Sequence, residues 1–386
     1  MVDSSRSSFW PCLLLVLLCF GDLPPAGKLF STHLDAALQR EGQQVAALQN
    51  NRAEVARSPL ARFGFTEAHM GTIFRIVLYA PDPATAAKAS RAAFDRIQEL
   101  DNIMSDYKPG SELRQLCGKA GGPPVKVSED LFRVLAVAKE VSTRSDGAFD
   151  ITVGPVVRLW RRARRRHELP DPERLAAARD LVGYEKVRLD PQARTVQLLK
   201  PGMMLDLGGI AKGDAADQAL MVLKGFGVTR ALVAAAGDIA VGDPPPHRAG
   251  WRIEIAPLEP GGRHLTRTTD NGERTASPTQ NRFVPLHNAG ISTSGDAEQH
   301  VEIEGVRYSH IIDPKTGMAL TGRSSVTVVA PNGITADSYA TAVSVLGPER
   351  GLKLIDSTPD AGALIMIGSG DTMHSFESRF PPMQPQ

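Results

Sequence analysis

Two short segments carry residues able to do chemistry together. In Ala336-Asp-Ser-Tyr-Ala-Thr341 a carboxylate and a hydroxyl stand four apart, and in a helix of about 3.6 residues per turn such positions project from one face. Asp337 and Thr341 thereby offer oxygen ligands suited to a hard cation such as Mg2+. Far upstream, Asp206-Leu-Gly-Gly-Ile-Ala-Lys-Gly213 joins a carboxylate, two adjacent glycines and a lysine, a combination that lets backbone come close to a phosphate-bearing ligand. A cation, a phosphate cradle and a base would make a phosphoryl-transfer site. Taken singly, each segment also has a plainer reading: a helix cap with a solvated side chain, and a turn ahead of an alanine-rich helix.

Further segments follow a fixed order around these two. They are Met70-Gly-Thr72, Ser105-Asp-Tyr-Lys-Pro-Gly-Ser-Glu112, Ser145-Asp-Gly-Ala-Phe-Asp150, Ala236-Gly-Asp238, Ser292-Thr-Ser-Gly-Asp296 and His310-Ile-Ile-Asp-Pro-Lys-Thr-Gly317. In that order the chain resembles the ApbE family, the FAD:protein FMN transferases, from about Phe65 to about Phe376. The resemblance implies an Mg2+-dependent enzyme that splits FAD, releases AMP and leaves FMN esterified through its phosphate to a threonine or serine of an acceptor protein. It also implies roles for particular residues. Asp337, Thr341 and the backbone carbonyl of Gly209 would hold Mg2+. Tyr107 would stack on the isoalloxazine or the adenine, and Met70, Ala148, Phe149, Asp150, Asp206, Lys212 and Ile312 match positions that touch FAD. His310 is the candidate general base, since the attacking hydroxyl must lose a proton and imidazole titrates near neutral pH. A structural turn residue is the other reading of a histidine placed before Ile-Ile-Asp-Pro.

Some positions depart from the family pattern. Ala234-Ala-Ala-Gly-Asp238 stands where members commonly carry an Asn and two glycines before the aspartate. Ala297 replaces an aromatic residue, and Ala340 stands where some members have a further acidic ligand. Two other functions share the same electrophile or the same ligand: an FAD pyrophosphatase, in which water replaces the acceptor hydroxyl, and a non-catalytic flavin carrier.

The wider composition narrows the partners. With 44 basic against 43 acidic residues the chain offers no electrostatic case for nucleic acid. Arg6 precedes an apolar stretch from Phe9 to Phe20, about the length of a secretory h-region and short for a membrane-crossing helix. Residues 1–26 read as a signal peptide, 27–60 as a linker or surface helix, and 61–380 as the transferase domain. An exported, periplasmic or extracytoplasmic location follows. Lipidation at Cys19 is the lesser reading, because Leu18 is large for the position before a lipidated cysteine. Once the leader is removed, Cys117 is the one cysteine left and no internal disulfide can form.

These residues need a scaffold. Thr72–Tyr79 reads as a strand, followed by helices over about Ala84–Met104, Leu131–Ser142 and Ala211–Gly225; further strand-like runs lie at Ala231–Ala235, Trp251–Ile255, Ser325–Ala330 and Ala363–Ile367. The mixture lacks regular βαβ spacing and points to α+β, and the family resemblance implies antiparallel sheets flanked by helices, related to the tunnelling fold. Two stretches look like insertions. Arg158-Leu-Trp-Arg-Arg-Ala-Arg-Arg-Arg166 is an arginine run that starts beside a family tryptophan, Trp160; it suits a solvated helix face, steering of an anionic nucleotide, or an acidic membrane surface. Pro257 to Pro285 reads as a polar loop.

Overall fold

Thr72–Ala80 shows how the sequence builds its main layer. Phe74, Ile76, Leu78 and Ala80 are fully buried on one face, while Val77 is buried on the other, so this strand is packed on both sides and reads as a nearly continuous apolar run. It lies in an antiparallel eight-stranded sheet whose neighbours follow chain order: Ala61–His69, Thr72–Ala80, Ala231–Ala235, Asp238–Val241, Ala289–Gly295, Arg323–Ala330, Gly362–Ser369 and Thr372–Ser378. The computed structural model describes residues 60–255, 282–295, 300–369 and 372–384. The leader, the linker helix up to residue 59, residues 257–281 of the polar loop, Asp296 and Ala297 lie outside the described residues.

The sheet is open, with Ala61–His69 and Thr372–Ser378 at its edges. On one face the helices Pro83–Met104, Glu129–Arg144, Ala211–Gly225 and Gly333–Asp356 share a core with Phe74, Ile76, Leu78, Val233, Val328 and Ile365. On the other, the two-stranded ribbon Trp251–Ile255 and Arg282–Leu286 covers Val77, Val241, Ile291, Val329 and Leu364. The expected mixture of antiparallel sheets and helices is therefore present. The polar-loop reading fails at its C-terminal end: Arg282-Phe-Val-Pro285 is ribbon, because Val284 and Leu286 supply an apolar face that pairs with Trp251 and Ile253.

The first sheet strand, Ala61–His69, was not anticipated from the sequence. Its hairpin turn is Met70-Gly71, with φ of 49° and 72°, and His69 faces Thr72 across it. Two consecutive left-handed residues are what a two-residue type I′ turn requires. Met70 thus owes its position to this turn, at the end of a strand packed beside helix Pro83–Met104.

A smaller module sits apart from the main core. Helix Gly154–Arg166 lays Val156, Trp160 and Ala163 against Tyr308, Ile312 and Ala319 of the three-stranded sheet His300–Ile303, Val306–Ile312 and Ala319–Thr321. Trp160 donates its indole N–H to the carbonyl of Gly317 at 2.9 Å, and its ring lies 5.2 Å from that of Tyr308. The arginine run is consequently the outer side of a helix whose inner side is anchored, rather than a free insertion.

Candidate active site

Helices Ala211–Gly225 and Gly333–Asp356 bring the two chemical segments together. They approach at glycine: a Cβ added to Gly213 would fall 2.8 Å from that of Asp337, so any larger residue would push the helices apart. The Gly213 amide uses this proximity and donates to Asp337 Oδ2 at 3.0 Å. Asp217, one turn further along, accepts from the amides of Gly333 and Ile334 at 2.7 and 2.9 Å, which ties down the start of the second helix where amides would otherwise be unsatisfied. Asn332 caps the same end through its side chain.

Around Asp337 the charges are dense and mostly buried. Asp337 is 2% exposed and Asp238 5%. Lys212 Nζ lies 3.0 Å from Asp238 Oδ2 and 3.8 Å from Asp337 Oδ2, and it donates to the Gly208 carbonyl at 2.8 Å. Burial and the neighbouring Asp238 push the Asp337 carboxyl up to about 7, outweighing Lys212. Burial works against the lysine charge, but Asp337 and Asp238 overcome it and hold the ammonium above its ordinary range. Ser292 donates to the other oxygen of Asp238 at 2.6 Å. Thr341 completes the corner: a Cβ on Gly209 would stand 2.8 Å from Thr341 Oγ1 and 3.4 Å from Phe149. A carboxylate, a hydroxyl and a glycine backbone therefore meet at one place.

The oxygen-rich, acid-surplus corner fits a hard cation. Lys212 is the positive charge that the two carboxylates share here. Among the described residues no group of three or more His, Cys, Asp or Glu side chains converges, so a cation here depends on hydroxyl and carbonyl oxygens as well as Asp337.

A second cluster lies alongside. Arg161 reaches Asp206 Oδ2 at 2.9 Å and also pairs with Asp106. Asp206 is held above the usual carboxylate range by burial and by Asp106, with Arg161 and Lys212 opposing. Asp106, Tyr107, Arg114, Arg161 and Leu205 line a cavity of about 250 Å³. Tyr107 is 54% exposed there, with its hydroxyl 3.3 Å from Asp101 Oδ1, so its ring is available for contact while its tip is tethered.

The sequence-nominated residues divide accordingly. Gly209, Lys212, Asp337, Thr341 and Phe149 meet at the corner, and Asp206 joins Tyr107 through Arg161. Ala148 is buried next to Phe149. Asp150 spends its oxygens on the Thr152 amide and hydroxyl and on the Tyr184 amide, at 2.7–2.8 Å; it is an N-cap, with burial raising its carboxyl. Met70 packs against the main core and Ile312 beneath Trp160. His310 lies half-buried on Val306–Ile312, a strand that touches helix Gly333–Asp356.

Sequence reasoning gave no role to Asp238, Ser292, Asp106 or Asp217, and took Arg161 only as part of the arginine run. Asp238 and Ser292 fall in motifs already noticed, Ala236-Gly-Asp238 and Ser292-Thr-Ser-Gly295; their pairing needed the register of two neighbouring strands, Asp238–Val241 and Ala289–Gly295. The tight turn ahead of Asp238 uses Ala236 at φ 54°.

Known proteins resemble this chain over most of its length. Residues 70–365 match the model of the ApbE family. An FAD:protein FMN transferase of Treponema pallidum (strain Nichols) is 33% identical over 326 residues, covering 81% of this chain and 86% of that protein. One from Haemophilus influenzae is 32% identical over 306 residues, covering 77% and 84%. The solved flavin transferase ApbE from Vibrio cholerae superposes with a TM-score of 0.70 at 27% identity, covering 83% of this chain and 98% of that one.

Proposed function

We propose that this chain, which belongs to the ApbE family and transfers FMN from FAD to a protein, carries out that transfer at the corner formed by Asp337, Thr341, Gly209 and Lys212 with the help of Mg2+. The observation that carries the reading is the buried pair Asp337 and Asp238 sharing one ammonium. Two carboxylates out of water need compensating charge, and a reaction at a pyrophosphate needs the same at its oxygens. Bound there, Mg2+ would neutralise phosphate oxygens and make the phosphorus open to attack.

The protein's own groups do the rest. Asp337, Thr341 and the Gly209 carbonyl would hold the cation. Lys212, kept protonated by its acidic neighbours, presents positive charge to the pyrophosphate, while the Tyr107 face supports a flat ring beside the Asp106 and Asp206 pair. His310 accepts the proton of the acceptor threonine or serine as its oxygen bonds to the FMN phosphorus; the bond to the AMP phosphate breaks, and AMP leaves with that electron pair. Incubation with FAD, Mg2+ and a candidate acceptor should leave flavin fluorescence on the acceptor after denaturing electrophoresis, and a chelator should abolish it. Free FMN and AMP with no labelled acceptor would make the protein a pyrophosphatase, and intact FAD would make it a carrier.

The leader read in residues 1–26 assigns this work to an extracytoplasmic compartment, where an acceptor redox protein would be met. N-terminal sequencing of the exported protein tests it; an intact Met1 would overturn it. Among the described residues no helix is long and apolar enough to cross a membrane.

A further inference from the structure

Helix Gly154–Arg166 contains no acidic residue and six arginines. Arg158, Arg162, Arg165 and Arg166 are spaced i, i+4, i+7 and i+8, which places them on one side of the helix, away from the side buried by Val156, Trp160 and Ala163. Helix Pro172–Arg179 lies across from them and adds Arg174. Between the two helices is an open cavity of about 850 Å³, floored by Leu159, Ala178, Leu181 and Met204 and rimmed by these arginines. Among the described residues none of Arg158, Arg162, Arg165, Arg166 and Arg174 has a carboxylate partner, whereas neighbouring Arg161 has two. The rim is thus a concentration of uncompensated positive charge on a chain whose net charge is +1.

This groove adjoins the flavin-site cavity: Arg158 and Met204 line both. A partner lying in it would therefore end beside the reacting groups. The groove is concave, walled by two helices and apolar at its base, so it accommodates a chain segment rather than the plane of a bilayer. Charge complementarity requires the segment to be acidic.

We propose that the arginine-lined groove docks an acidic segment of the flavin-accepting protein and delivers its hydroxyl residue to the neighbouring site. This rests on the reading of that site as one that transfers flavin to a protein. Docking through the rim charges sets the encounter with the acceptor and leaves FAD binding alone.

The test uses the full chain and two dye-labelled peptides, each with one threonine, followed by six aspartates in one and six asparagines in the other. Binding is read by fluorescence anisotropy, and transfer, with FAD and Mg2+, by covalent flavin on the peptide. The aspartate peptide should bind at least about tenfold more tightly than the asparagine peptide, and R162E/R165E/R166E should reduce that binding by at least about tenfold while flavin fluorescence titration shows unchanged FAD affinity. Equal binding of the aspartate peptide to wild type and variant overturns the proposal. So does loss of sedimentation with phosphatidylglycerol vesicles in the variant when the wild type shows no preference for aspartate, which would make the groove a membrane contact. Failure of the transfer reading looks different: neither peptide gains covalent flavin, yet the anisotropy still reports docking or its absence.

Discussion

A lysine and an arginine on either side of this site are perturbed in opposite directions. Lys212 is buried, yet Asp337 and Asp238 hold its charge above the ordinary range; Arg164, on the arginine helix, is held below its ordinary range by burial and by the charge of Arg161. At Lys212 the neighbouring acids outweigh burial, whereas at Arg164 burial and a like charge act in the same direction. At the corner the acids outnumber the base, so a cation would be welcomed; along Gly154–Arg166 bases outnumber acids, so an anion would. FAD with its two phosphates is anionic, and Mg2+ bound at the corner, as proposed, would let it approach the acid-rich end.

Removing the acid that defines the first end should have the largest effect. Asp337→Ala should lower FMN transfer by at least about 10^2 to 10^3-fold, the scale of losing one preorganised electrostatic group, with circular dichroism showing the fold retained. Near-normal Mg2+-dependent turnover in this variant would move the cation elsewhere. Thr341→Ala should do less harm, since it removes a neutral ligand.

His310 separates charge from proton chemistry. His310→Ala should reduce turnover by about 10^2 to 10^4-fold at saturating FAD, with FAD affinity changed far less. A loss confined to FAD affinity would make it a binding residue.

Tyr107 stands between the two ends and carries no charge in either. Tyr107→Ala should weaken FAD binding by roughly 5 to 150-fold, the equivalent of about 1–3 kcal/mol of stacking, and Tyr107→Phe should preserve it. Wild-type affinity in Tyr107→Ala, measured by flavin fluorescence, would place the ring elsewhere.

The smallest effect concerns stability rather than chemistry. Burial raises the Asp217 carboxyl from 3.8 to about 6, more than its two backbone hydrogen bonds lower it. The folded protein then holds a proton that the unfolded chain has already released, so stability should fall as pH rises from about 4 to about 6, by at most about 3 kcal/mol, and Asp217→Asn should flatten this slope in urea unfolding. An unchanged slope would show that the carboxyl titrates normally.

The elements were legible where the pattern was local. Thr72–Ala80, Ala211–Gly225, Ala231–Ala235 and Trp251–Ile255 are where their apolar periodicity and flanking residues put them. Ala61–His69 was missed because its edge position leaves most of its residues partly or wholly exposed, so neither apolar run nor clean alternation marks it. Arg282–Leu286 was missed because Pro285 and polar neighbours mask two inward positions, Val284 and Leu286.

The site divides in the same way. By itself the sequence determined which chemical groups were available: Asp337 and Thr341 at helical spacing, the glycines and lysine of Asp206–Gly213, the motif order that marks the ApbE family, and the cation surplus of Arg158–Arg166. Only the tertiary structure decided how those groups are spent. It turned Asp150 into a helix cap, gave Lys212 to Asp238 and Asp337, tied Arg161 to Asp106 and Asp206, and left the rim arginines without carboxylate partners among the described residues. Residue type and spacing fix what a side chain is able to do over one or two turns. Partners 45 residues away, as for Arg161 and Asp206, or 124 away, as for Gly213 and Asp337, meet only because helices close on a glycine and a sheet sets its register, and both are properties of the packed whole.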